Sequence, residues 1–160
     1  MNLTISLTMK TKRDNIAEYI LHLWQMEDVV RAFADDEALQ QNAFLADLKA
    51  MMQQEGVMQS GHVSIARLAV GEMEDLHSEL LNEVATYRAA YMQLIPQLAL
   101  LKSKSDNPTQ SDIQMMLVFL YSLLLLRLQK KEISVETQQT EQQVSHLLAY
   151  LSKAYKESAE

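Results

Sequence analysis

The chain has 160 residues, 48% of them hydrophobic, with three glycines, two prolines, no cysteine and a net charge of −7. One domain with a sizeable core fits this length. The scarcity of turn formers beside abundant Leu, Ala, Gln, Glu, Met and Lys argues against a sheet protein and for an all-α one. Without cysteine there is no disulfide framework, thiolate metal site or cysteine nucleophile, which suits a reducing compartment.

The charge is uneven. Residues 1–13 carry +3, whereas residues 14–61 hold nine acids against two bases. No basic stripe with interleaved aromatics offsets the acidic body, so nucleic acid is not an expected partner. The opening "MNLTISLTMKTKR" places its positive charges after a short apolar stretch, the reverse of a secretory signal. Residues 1–13 read as a solvated N-terminal arm and 14–157 as one helical-bundle domain.

Six helical segments follow from period and punctuation. The first, from about Asp14 to Phe33, opens with Asn15 and Glu18 at capping-box spacing. Ile16, Tyr19, Ile20, Leu23, Met26, Val30 and Phe33 then recur at helical intervals. The second starts at "DDE" 35–37, carries Phe44, Leu45, Leu48, Met51 and Met52, and ends at Gly56 as a C-terminal cap. The third is expected over about His62–Asn82, with Ile65, Ala69, Met73, Leu76 and Leu80 inward and Gly71 inside. The fourth spans about 84–103, where Pro96 predicts a kink or a break. Asn107 and Pro108 are placed to open the fifth, which runs to about Lys131. Ser134 caps the sixth, whose stripe is Val144, Leu147, Leu148, Leu151 and Tyr155. Short connections imply antiparallel neighbours in a bundle.

The fifth segment, "IQMMLVFLYSLLLLRLQKKEIS", is the most apolar. Its uninterrupted run from Met115 to Leu126 is well short of the about 20 apolar residues that cross a bilayer. A helix apolar all round reads instead as the centre of a bundle, and no membrane is expected as partner.

Some polar residues fall on apolar faces. Glu27 lies among Ile20, Leu23 and Val30, Arg31 is one turn further on, and Trp24 borders both. On the fifth segment Arg127 shares a face with Met116, Leu120, Leu123 and Leu124. A buried arginine needs a carboxylate or carbonyl partner, and Glu27, then Asp28, are the candidates. Three readings stand: an internal salt bridge fixing helix register, an anion pocket lined by Trp24, Arg31 and Arg127 between the first, third and fifth helices, or an arginine that snorkels to solvent.

Glu74 and His77 form the Glu-x-x-His spacing used twice in di-iron bundles, but no second pair occurs. His62 and His77 fall on the expected inner arc of the third segment, as packed histidines or, with an added acid, as metal ligands. Neither His-x-x-x-His nor His-Glu-x-x-His is present, and no phosphate loop or nucleophile elbow appears. No cofactor is expected. His22 and His146 read as surface residues, and Tyr87 and Tyr91 as packing aromatics or the lining of a ligand groove.

The stretches "NIAEYILHLWQMEDVVRAF", "QEGVMQSGH", "DLHSELL", "YRAAY" and "LLLLRLQKKEISVETQ" resemble an uncharacterised bacterial all-helical family, a domain of unknown function. The resemblance covers about Asn15 to Tyr155. It implies a compact cytoplasmic bacterial domain and brings no activity, cofactor or catalytic residue. The familiar stretches contain Trp24, Glu27, Asp28, His62, His77, Arg127 and Gln129. The function expected is a non-enzymatic, soluble interaction or scaffold protein that self-associates as a homodimer, its ten methionines suiting adaptable contacts. An anionic-ligand binder and a metal-dependent enzyme are the alternatives.

Overall fold

A computed structural model describes residues 11–158. Among them the chain forms seven helices and no strand: α1 (Ile16–Ala32), α2 (Glu37–Gln41), α3 (Ala43–Glu55), α4 (Ser64–Glu83), α5 (Ala85–Lys104), α6 (Asp112–Leu128) and α7 (Val135–Ser158). The expected all-α bundle is what the chain builds. Most of the arm read over 1–13 lies outside the described residues.

The caps show why the helices begin where they do. The Asn15 side chain accepts the Glu18 N–H at 3.1 Å. Asp36 accepts from Ala38 N–H at 2.8 Å, and Ser134 Oγ from Thr137 N–H at 3.1 Å. Each satisfies a donor that a first helical turn leaves unpaired. Gly56 closes α3 at φ 72°, where a side chain would be strained. At the buried start of α1, Ala17 N–H finds Ser152 Oγ of α7 at 3.3 Å.

Three boundaries differ from the sequence expectation, and one expected interruption is bridged. The second segment is two helices, because Asn42 ends α2 and accepts from Leu45 N–H to start α3. The third begins at Ser64, so His62 stands in the preceding loop; Ser64 N–H and Oγ both bond the Glu55 carboxylate. The fifth starts after Ser111, whose hydroxyl accepts from Gln114 N–H, leaving Asn107 and Pro108 in a turn. Pro96 does not break α5, which continues to Lys104. The carbonyl the proline orphans, that of Met92, lies on an exposed face where water can serve it.

The core is one cluster drawn from every helix. α1 contributes Ile16, Ile20, Leu23, Met26 and Val30, all at 1% exposure or less. Each such side chain contributes roughly 1.5–3 kcal/mol on removal from water. On α4 the inner stripe is Ala66, Ala69, Val70, Met73 and His77, while the expected Ile65 faces outward. α6 touches α1, α4, α5 and α7, as an interior helix does, yet it is not enclosed: Val118 and Leu128 reach solvent. No helix among the described residues is long and apolar enough to cross a membrane.

Candidate functional site

The α3–α4 loop, residues 56–63, must fold back for α4 to pack on α1, and its backbone needs partners. α1 supplies them. Glu27, fully buried, accepts His62 Nδ1–H at Oε1 and Val63 N–H at Oε2, both at 2.7 Å. Arg31, one turn later, donates to three carbonyls of the same loop: Val57 at 3.0 Å, Met58 at 3.3 Å and Gly61 at 2.5 Å. Its remaining fork nitrogen pairs with Asp28 at 3.1 Å. A guanidinium in this cage is a loop clamp: four of its five N–H donors are spent on the fold.

Aromatic rings seal the cluster. Trp24 stacks on His62 with centroids 4.6 Å apart, and Tyr121 of α6 meets Trp24 edge-on at 5.9 Å. Tyr121 O–H donates to Asp28 and lies 3.3 Å from the Trp24 carbonyl. Burial, reinforced by the Asp28 carboxylate, pushes the Tyr121 hydroxyl well above the usual phenol range. Trp24 Nε1 is buried without a partner.

Glu27 and Arg127 do not meet. Arg127 extends from the last turn of α6, half exposed, and forms a two-pronged pair with Glu141 of α7, one prong at 2.6 Å. The Arg127 hydrogen bond holds the Glu141 carboxyl below its ordinary value. The expected register-fixing bridge is therefore a surface pair between α6 and α7. The expected anion pocket is also absent from its place, because Trp24 is 2% exposed and Arg31 is committed to the loop.

The metal candidates separate as well. His62 sits in the loop beside Glu27, whereas His77 lies on α4 about 20 Å of helix rise beyond Ser64. His77 Nδ1 is 2.5 Å from Tyr87 O–H, and its ring meets Tyr91 edge-on at 4.8 Å. Glu74, half-buried, is on the turn before it. Among the described residues no group of three or more His, Asp or Glu is placed to hold a metal ion. Burial lowers the His77 pKa despite the opposing pull of Asp112. Tyr91, which donates to Asp112, is pushed up to about 12, first by burial and then by that bond. His22, expected at the surface, is half-buried with Nε2 unpartnered, and burial lowers it too.

The open features lie elsewhere. A shallow hollow of about 450 Å³ runs between the end of α5, the loop after it and α6, lined by Leu101, Lys104, Asn107, Val118, Phe119 and Ser122. Beside it α5 turns an apolar face outward: Met92 is 58%, Ile95 38% and Leu100 62% exposed. The sequence carried a signal for this. Met92, Ile95, Ala99 and Leu100 form a second apolar stripe beyond the inward Tyr87, Leu94 and Leu98.

The family model described as "Domain of unknown function (DUF4924)" matches residues 5–42 and 33–160. The chain belongs to the DUF4924 family. No curated protein and no solved structure matches it. Membership of DUF4924 assigns no activity, so any role for these residues rests on their geometry.

Proposed function

We propose that the protein is a non-enzymatic interaction module that pairs with a second copy of itself through the outer face of α5. The observation that carries this is the exposed row of Met92, Ile95 and Leu100 on one side of a single helix. An apolar row of this kind marks an interaction surface more often than an isolated exposed leucine does.

The face suits a twofold partner. Met92 and Leu100 stand four residues either side of Pro96, so antiparallel apposition of two α5 helices about Pro96 sets Met92 of each against Leu100 of the other. Ala99 and Pro96 are small enough for the backbones to approach. α5 carries no acid, and Arg88 is turned aside onto the Leu81 and Asn82 carbonyls at 2.7 and 3.0 Å. The polar clusters support a non-catalytic reading, since Glu27, Arg31 and Tyr121 are all engaged within the fold.

Sedimentation equilibrium on the wild type and on a Met92→Glu/Leu100→Glu variant tests this. The wild type is expected to associate reversibly and the variant to sediment as one chain with unchanged helicity. Equal association of both would place the interface elsewhere.

A further inference from the structure

With ten methionines and no cysteine, the side-chain sulfur of this chain is thioether alone. Met1 and Met9 lie outside the described residues, which leaves eight within them. Five of these are at 3% exposure or less, and Met51 and Met58 are partly buried. Met92, at 58%, is the one fully exposed methionine among the described residues. A thioether reacts only where a dissolved oxidant can touch it, so the fold makes the eight unequal.

The surroundings of Met92 offer an oxidised sulfur nothing to bond. Ile95, Ala99 and Leu100 follow on the same side of α5. Arg88, one turn earlier, spends Nε and a terminal nitrogen on the Leu81 and Asn82 carbonyls. The Ser103 hydroxyl donates to the Leu100 carbonyl at 2.7 Å, and Lys104 lines the hollow beside α6. A sulfoxide oxygen is a strong acceptor that water solvates well. Pressed against Leu100 of a second copy, it would lose that water and gain no donor.

We propose that Met92 is a reversible oxidation site whose sulfoxide switches off the pairing of α5 with a second copy. The proposal rests on that pairing and adds its regulation. With hydrogen peroxide, the sulfur lone pair attacks one oxygen, and the S–O bond forms as the O–O bond breaks. The proton of the transferred hydroxyl goes to the departing hydroxide, which leaves as water. The sulfur is oxidised by two electrons and the peroxide is reduced by two. Pairing covers Met92, so the free chain is the form that reacts. Its product no longer pairs, and oxidation draws the population toward single chains.

Wild type, Met92→Leu and Met51→Leu/Met58→Leu test this, each by sedimentation equilibrium before and after hydrogen peroxide, with sulfoxides located by peptide mass spectrometry. In wild type, sulfoxide is expected first at residue 92 among residues 11–158, forming severalfold more slowly at high protein concentration. The oxidised protein is expected to associate about tenfold more weakly at unchanged helicity. Met51→Leu/Met58→Leu should weaken as wild type does. Met92→Leu, measured against its own untreated sample, should not change. Association that survives complete oxidation of Met92 would overturn the proposal and leave the pairing standing. So would a loss that persists in Met92→Leu or vanishes in Met51→Leu/Met58→Leu. A wild type that does not associate before treatment would overturn the pairing, and this proposal with it.

Discussion

Glu27 Oε1 and His62 Nδ1 are 2.7 Å apart, and this contact ties a fully buried acid of α1 to the loop that launches α4. The other carboxylate oxygen holds Val63 N–H, so one side chain fixes both the ring and the backbone at the entrance to the helix. Removing the carboxylate leaves a buried N–H and a stacked imidazole without an acceptor.

Glu27→Ala is accordingly expected to lower unfolding free energy by about 2–4 kcal/mol. Glu27→Gln keeps the volume and one acceptor, and should cost about 1 kcal/mol. Urea titrations give both values. A stabilised Glu27→Ala protein would instead mark the carboxylate as a functional group held at the expense of stability.

Arg31 makes a different claim on the same loop. Arg31→Lys preserves the charge but cannot reach three carbonyls from one rigid fork, and a loss of about 1–3 kcal/mol is expected. Hydrogen exchange should rise for residues 57–63 and stay unchanged in α5. Full retention of loop protection in Arg31→Lys would show that charge alone suffices.

Acid should destabilise the fold through buried His77 and half-buried His22. His77 and His22 both have folded pKa values below that of the unfolded chain, because burial disfavours the imidazolium. Between the folded and unfolded values the unfolded state binds more protons, so stability rises with pH there. The contribution is complete above about pH 6.5, the unfolded value, and declines as pH falls below it. Melting temperatures from pH 7.5 to 5 should fall in the wild type. The slope should flatten in His22→Gln/His77→Gln even if that variant is less stable throughout.

A double-mutant cycle on Glu27 and Arg127 is expected to show no coupling, while one on Arg127 and Glu141 should show a small coupling that salt screens away. Coupling of Glu27 to Arg127 that persists in high salt would contradict the surface placement of the arginine.

The helical pattern was legible because caps and periods are local. Asn15, Gly56 and Ser134 stand where their chemistry demanded. Glu27 could be read as buried from its face, but not paired, because its partners come from a loop whose path no helical period encodes. The same gap misled the reading of His62, assigned to a helix that begins two residues later. Arg127 looked inward on a helix apolar all round, where a face has no contrast to define it. Its exposure follows from its position in the last turn of α6, opposite Glu141. The Met92–Leu100 row was present in the sequence but hidden by the inward stripe of the same helix.

The central claim, that α5 joins two copies while the polar cluster of α1 only shapes the fold, is tested most directly by solution mass. Light scattering across a wide concentration range should show wild-type mass climbing toward twice the 18.3 kDa of one chain, with Glu27→Gln following the same curve. A mass that stays at one chain up to the highest concentration would contradict it.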